Sequence, residues 1–266
     1  GCCLNPHDAR PVAAGTHHPG VEVGEAIARA MAAVVPERCC PQVYNIGMPN
    51  AVIGFGPKGM WMDQGVDSRS MDASAVQGID GWGASCVGLG NLLLSEAEDG
   101  ESRFPVINLN REMTTDSGGA GQWRGQPGSL NVKKVLEPTF AMAWMVSSAH
   151  PLRGLCGGED AGPYSNRFEV GTEREYKIDL TVRAQLPANA VIAYQHGGGG
   201  GFGPALLRDP QAVCEDVLDE KVSLGAARDK YGVVFTGSVD EYDLAVDVAA
   251  THVLRERMSA AAGVRA

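Results

Sequence analysis

The run Gly197-Gly198-Gly199-Gly200-Gly201-Phe202-Gly203 decides how this chain is read. It follows Ala190-Val191-Ile192-Ala193-Tyr194-Gln195-His196, whose apolar and aromatic residues predict a strand. It precedes Asp209-Pro210-Gln211-Ala212-Val213, which predicts the start of a helix. Glycine loses more backbone freedom on folding than any other residue, so five in succession are costly to order. Two readings stand. Either the strand-to-helix junction needs positive φ angles or the close approach of another backbone, or the run is a flexible surface loop.

Working outward, the flanks alternate between strand and helix signals. Strands are predicted at 104–110, 129–136, 140–146 and 175–182, and short strands between Val43 and Met62. Val21 to Val35 predicts a helix, with Val23, Ala26, Ile27, Ala30 and Met31 at three- and four-residue steps and Pro36 as the stop. Asp209 is set to cap a helix over 210–219, and Ser223 a helix from Leu224 to Tyr231 that Gly232 closes. Val233 to Phe235 reads as a short strand, and Asp240 to Met258 as a last helix. The chain therefore divides into a helix-and-turn segment (1–62), wrapping Gly- and Ser-rich loops (63–102), a β-rich core (103–203) and a helical C-terminus (204–266). The fold class is α+β, a β-rich core with Gly-rich loops and a few helices.

The 266 residues carry a net charge of −10, and no Lys/Arg cluster exists to replace counterions, which argues against a nucleic-acid partner. No apolar run is long enough to span a bilayer, so no membrane association is expected. The opening Gly1-Cys2-Cys3-Leu4-Asn5-Pro6 shows no secretory leader pattern and reads like the middle of a polypeptide. The seven cysteines include the adjacent pairs Cys2-Cys3 and Cys39-Cys40, with Cys86, Cys156 and Cys214 alone. None has the spacing of a zinc knuckle, and free, buried thiols in a cytoplasmic protein are the expectation.

Four local motifs bear on chemistry. Gly54-Phe55-Gly56-Pro57-Lys58-Gly59 fits the dinucleotide spacing, but no helix follows it, so a tight β-turn is the reading. Asp116-Ser117-Gly118-Gly119-Ala120-Gly121-Gln122-Trp123-Arg124-Gly125 gathers a carboxylate, a hydroxyl, an indole and a guanidinium among glycines. Its backbone N–H groups could cradle an oxyanion, and Arg124 could grip a carboxylate through both arms of its fork. The alternative is a structural turn in which Asp116 accepts backbone N–H bonds and Arg124 stacks on Trp123. His17-His18 near Glu22 lacks a third metal ligand at a telling distance, and no metal site is assigned. His196, at the end of a strand against the glycine run, is placed for proton transfer or for a backbone hydrogen bond. No nucleophile elbow and no Walker lysine are present.

The order of these segments resembles the hydantoinase B/oxoprolinase family. The resemblance is carried by Asn45 to Gly56, by Asp116 to Gly125 above all, and by Pro151-Leu152-Arg153-Gly154-Leu155-Cys156-Gly157-Gly158. Gly197 to Gly203, Arg208 to Val213 and Val222 to Val234 continue it. It runs almost end to end over this chain and corresponds to the C-terminal half of the family's subunit. Pro204-Ala205, Gln126-Pro127-Gly128 and Glu98 to Ser102 depart from the family pattern and imply a divergent substrate. The resemblance implies membership of a multi-subunit, ATP-dependent enzyme. A HyuA-like partner would bind ATP with magnesium and phosphorylate a small-molecule substrate, and a divalent metal would sit in the N-terminal half, outside these residues. Cyclic-amide hydrolysis, ketone carboxylation and a non-catalytic scaffold half of a split enzyme all remain open, with hydrolysis favoured. The substrate- or oxyanion-binding candidates are Asp116, Ser117, Gly118, Gly119, Gly121, Arg124, His196, Gly198, Gly199 and Gly200.

Overall fold

In the computed structural model, residues 20–39, 47–57, 59–63, 73–82, 96–145, 150–178 and 182–262 are described. β1 (Gly47–Gly56) turns back into β2 (Gly59–Asp63), so the Gly54-to-Gly59 stretch is a hairpin, as the turn reading expects. Gly59 takes φ +104°, and Trp61 covers Gly54 so closely that a Cβ there would enter the indole. β5 (Thr139–Met145) and β8 (Val182–Leu186) complete a four-stranded sheet in the order β2-β1-β5-β8. The second sheet holds β3 (Val106–Met113), β4 (Ser129–Val135), β6 (Ser165–Phe168), β7 (Tyr176–Ile178) and β9 (Val191–Gln195). Its order is β3-β4-β9-β6-β7, and every pairing in both sheets is antiparallel.

The sheets share one core. Val52, Ala141 and Leu186 of the first pack with Val106, Val135, Phe168 and Ile192 of the second in a single buried cluster. Each such side chain contributes about 1.5–3 kcal/mol by leaving water, so this face holds the sandwich together. A second cluster lies under the C-terminal elements α3 (Pro210–Leu218) and α4 (Leu224–Asp229), built on Val213, Val217, Val222, Ala227, Tyr231 and Val233. Both caps form as the sequence predicts. Asp209 accepts the Gln211 N–H at 3.1 Å, Ser223 Oγ accepts the Ala226 N–H at 3.0 Å, and Gly232 ends the unit at φ +63°.

The structure departs from the sequence reading in several places. The last helix, α5 (Val248–Ala262), starts eight residues later than Asp240. The intervening residues are spent on a turn, in which Tyr242 takes φ +55° and the Asp243 carboxylate accepts the Ser238 N–H at 2.7 Å, and on a strand. That turn joins β10 (Phe235–Thr236) to β11 (Ala245–Val246), and Asp247 then caps α5 through the Ala250 N–H. A short helix, α2 (Ala97–Arg103), stands in the stretch read as wrapping loops, tied to β3 by the Asn108 N–H on Glu101 at 2.7 Å. The expected strand 175–182 divides between β7 and β8, which belong to different sheets, and β6 is too short to carry a pattern. The first helix, α1 (Gly20–Ala32), forms as expected, but its Ile27 and Met31 remain exposed. His17, His18, Cys2, Cys3, Cys40 and Cys86 lie outside the described residues.

Because Ser223 satisfies an otherwise orphaned N–H of α4, Ser223→Ala is expected to lower stability by about 1 kcal/mol, read by denaturant titration. A Ser223→Asp variant should retain most of it.

Candidate functional site

The glycine run belongs to neither sheet. Extended segments at 73–75, 117–128 and 152–162 lie around it and exchange backbone hydrogen bonds with it in several directions. Gly119 N–H donates to Gly199 O at 2.8 Å, and Gly199 N–H to Gln126 O at 2.9 Å. Ala75 N–H reaches Gly200 O at 2.9 Å, while Gly200 N–H donates to Ser74 Oγ at 2.7 Å. On a third side Gly201 N–H donates to Glu159 O and Gly162 N–H to Gly197 O, both at 2.9 Å. A side chain would destroy this. A Cβ on Gly199 would fall on the Ala73 carbonyl, one on Gly200 on that of Arg153, and one on Gly125 on that of Gly199. The run is buried throughout, and φ is positive within it only at Gly198 and Gly203. Close backbone approach therefore explains the glycines at 199 and 200, and the flexible-loop alternative does not describe the structure.

The residues singled out from sequence all converge on this bundle. Gly118, Gly119 and Gly121 lie against Gly125, Gly201 and Phe202, and Gly198 against Gln126 and Ser117. Ser117 is buried, donates to Thr114 O at 2.5 Å and accepts the Gly128 N–H at 2.7 Å. Asp116, at φ +63°, is exposed and accepts the Ser223 N–H at 2.8 Å, which ties the bundle to the cap of α4. Arg124 departs from the expectation that it grips a ligand. Its fork is buried, with Nη1 on Gly125 O at 2.6 Å and Nη2 on Asp216 at 3.1 Å. It is not Arg124 but Phe202 that packs on Trp123, edge-on with ring centroids 5.7 Å apart.

Asp216 sits between two guanidiniums, because Arg208 Nε and Nη2 reach its other oxygen at 3.0 and 2.8 Å. Arg208 also holds Asp80 through both oxygens at 2.7 Å, and Asp80 Oδ1 accepts the Arg124 N–H at 2.7 Å. Burial alone would raise the Asp80 pKa. The hydrogen bonds and charge of Arg208, with the N–H and charge of Arg124, outweigh it and hold the carboxyl below its usual range. Burial likewise pushes the neighbouring Tyr231 phenol well up, so it stays protonated. Arg255 closes the cluster from α5, donating to Tyr231 O at 3.0 Å and Arg208 O at 2.7 Å.

The second feature is the inner face of the five-stranded sheet. Along β4 the buried residues are Ser129, Asn131, Lys133 and Val135, so the polar side of this strand faces inward. Asn131 stands opposite Tyr194, which stands opposite Asn166 on the next strand; all three are buried. One step nearer the glycines, His196 is 1% exposed, donates its N–H to Ser129 O at 2.8 Å and meets Tyr164 edge-on at 5.9 Å. Lys133 pairs with Asp63 across the sheets at 3.0 Å. The face thus grades from Val135, Ile192 and Phe168 at one end to amides, phenol and imidazole at the end that abuts the glycine bundle. Sequence reasoning found His196 and missed Asn131, Asn166, Lys133, Tyr194 and Asp63. The signal was present in Ser129-Leu130-Asn131-Val132-Lys133-Lys134-Val135, whose alternation is clear but whose inward side is the polar one. Chemically, this end offers amide donors suited to a developing oxyanion and a proton-transfer group.

Among the described residues no group of three or more His, Cys, Asp or Glu is arranged to hold a metal ion. Cys39 and Cys214 are free and buried, as expected; Cys156 is free but exposed. Among the described residues no helix is long and apolar enough to cross a membrane.

Gly199→Ala is expected to destabilise the fold by ~3 kcal/mol or more, since a backbone carbonyl must move. Gly24→Ala, in an open helical position, should stabilise it by up to ~1 kcal/mol. Denaturant titration of the pair reads both signs. Asp216→Asn should cost about 3–5 kcal/mol by leaving two buried guanidiniums without their shared carboxylate. The depressed Asp80 pKa contributes stability that is complete above about pH 4 and fades as pH falls toward the lower folded value. Asp80→Asn should flatten the pH dependence of the thermal midpoint in that acid range.

Comparison with known proteins agrees with this architecture. The family model for hydantoinase B/oxoprolinase matches residues 1–205. The chain is 28% identical over 268 residues to the beta subunit of the caprolactamase of Pseudomonas jessenii, covering 96% of this chain and 45% of that protein. It is 26% identical to the hydantoinase-B component of a putative D-/L-hydantoinase of Pseudomonas sp. (strain NS671), covering 96% of this chain and 42% of that one. The solved ATP-dependent caprolactamase of P. jessenii superposes with a TM-score of 0.68 at 28% identity, over 86% of this chain and 40% of its own. A nucleotide-free acetone carboxylase shares the fold, with a TM-score of 0.70 at 20% identity over 92% of this chain and 37% of its own. The chain spans less than half the length of these relatives. With a match across three quarters of its residues, the chain belongs to the hydantoinase B/oxoprolinase family.

Proposed function

We propose that this chain is part of a subunit of an ATP-dependent cyclic-amide hydrolase, acting on a substrate that a companion HyuA-like subunit activates by phosphorylation. The observation that carries this reading is the 28% identity to the beta subunit of caprolactamase across 96% of the chain. The likeness to acetone carboxylase, at 20% identity, extends to the fold alone. ATP and its magnesium belong to the companion subunit in this reading, and any divalent metal to the half of the subunit outside this chain. The free thiols Cys39, Cys156 and Cys214 suit a cytoplasmic setting.

The chemistry is phosphoryl transfer to the amide oxygen, which makes the ring carbon electrophilic. Water adds to that carbon, the ring C–N bond breaks with nitrogen taking a proton, and a second water releases phosphate. We assign the polar end of the sandwich, His196 with Asn131, Asn166 and Tyr194, to the substrate side of this reaction. The set Asp116, Ser117, Gly118, Gly119, Gly121, Arg124, Gly198, Gly199 and Gly200 frames it. A scaffold role without chemistry is the second reading, favoured by the commitment of Arg124 and Ser117 to their own chain.

The native preparation, with whatever subunits accompany the chain, is assayed for ADP release and ring opening of caprolactam, hydantoin and 5-oxoproline. Coupled turnover that ignores bicarbonate is expected. Bicarbonate-dependent consumption of a ketone would replace the reading with carboxylation, and ATP turnover by the chain alone would contradict the division of labour. His196→Gln should lower kcat by ~10-fold or more, about 1.4 kcal/mol, at an unchanged thermal midpoint. A loss of activity that only follows a loss of folding favours the scaffold.

A further inference from the structure

The C-terminal elements leave an open groove of about 930 Å³ between α4 and α5, floored by β10 and Leu244. Its walls are apolar. Leu224 and Val253, on facing helices, are 51% and 46% exposed, and Phe235 lies beneath them. Leucine and valine left half in water on both walls forgo burial that the fold itself does not supply.

Charge gives the groove a direction. Its charged lining residues are Arg228, one turn on from Leu224, and Arg257, one turn on from Val253. No carboxylate lines it among the described residues, although the chain carries 32 Asp and Glu against 22 Lys and Arg. Neither guanidinium takes part in an ion pair or side-chain hydrogen bond among the described residues. The other described arginines of this unit, Arg208 and Arg255, behave differently and are both bound to their own chain. An apolar trough rimmed by two uncommitted cations, on a protein of net charge −10, is complementary to apolar side chains flanked by carboxylates.

We propose that this groove docks an acidic amphipathic segment of a companion subunit, with apolar side chains on Leu224, Phe235 and Val253 and carboxylates on Arg228 and Arg257. A symmetric pairing of two copies of this chain through the groove would set arginine against arginine, which disfavours self-association. The inference rests on the multi-subunit part of the reading above and adds the surface and the chemistry of its partner.

The test uses the native assembly. Light scattering first establishes that a companion is bound; its absence would sink the multi-subunit reading itself. With a companion present, Val253 is replaced by a photoreactive benzoylphenylalanine and the adduct is identified by mass spectrometry. A companion peptide that carries Asp or Glu beside apolar residues is expected. Adducts within this chain, or between two copies of it, overturn the proposal. Arg228→Glu with Arg257→Glu should weaken companion binding by ~10-fold or more at low salt and reverse the sign of its salt dependence, with the thermal midpoint of the chain unchanged. Undiminished binding by that variant also overturns it, and should the double variant fail to fold, the Val253 adduct decides alone.

Discussion

Backbone lying on backbone is the constraint from which this structure follows. Glycines at 119, 125, 199, 200 and 201 let chain segments far apart in sequence come closer than any Cβ allows, and each contact is locked by an N–H donated across it. The hydrophobic effect holds the two sheets together, but it does not choose this packing, because glycine has no side chain to bury. The choice is made by hydrogen bonding and by the steric exclusion of every other residue. The five-stranded sheet, through the ends of β4 and β9, the C-terminal unit and the 73–82 segment all meet at this point, so an error there would propagate into each of them.

The charge cluster performs a related task with different physics. Asp216 on α3, Arg208 before it, Arg124 in the bundle and Asp80 beside the 73–75 segment couple three regions of the chain. Buried ion pairs of this kind seldom add much net stability, since desolvation offsets their attraction. They do penalise wrong arrangements heavily. The same four groups in another register would leave a charge unpaired, so the cluster specifies orientation rather than strength. The hydrogen bond from Ser223 N–H to Asp116 adds a second tie between the bundle and the C-terminal unit.

Much of this was legible in the sequence, and the losses have identifiable causes. The strands at 129–135, 139–145 and 191–195 and the capped helices after Asp209 and Ser223 carry local signals that nothing in the tertiary structure overrides. The delayed start of α5 was hidden because Asp240 and Asp247 are equally plausible caps, and the hairpin pairing that decides between them is not local. Asp116 to Gly125 and the glycine run each stood out in the sequence, but their convergence is a tertiary fact that no local pattern carried. The fate of Arg124 was not legible either, because Asp216 lies on a helix whose position relative to the bundle is set by tertiary contacts. The inward polar side of β4 escaped for a physical reason. An alternating pattern says which residues share a face but not which face is buried, and the usual assumption that the apolar side turns inward fails here.

The contacts of the glycine run also bear on how the chain acquires its shape. Gly200 meets Ser74 across 126 residues, and Arg208 meets Asp80 across 128. Neither bond can form until most of the intervening chain has been gathered, and Phe202 is the one apolar side chain the run can contribute to an early collapse. The sheets, whose pairings β1–β2 and β6–β7 are local, can assemble before it. On that ordering the knot of glycines closes after the sheets, cooperatively because each strand of the bundle completes the others. Interactions made last are absent from the barrier to folding, so they chiefly retard unfolding. The costliest segment to order would in that way set the lifetime of the folded protein.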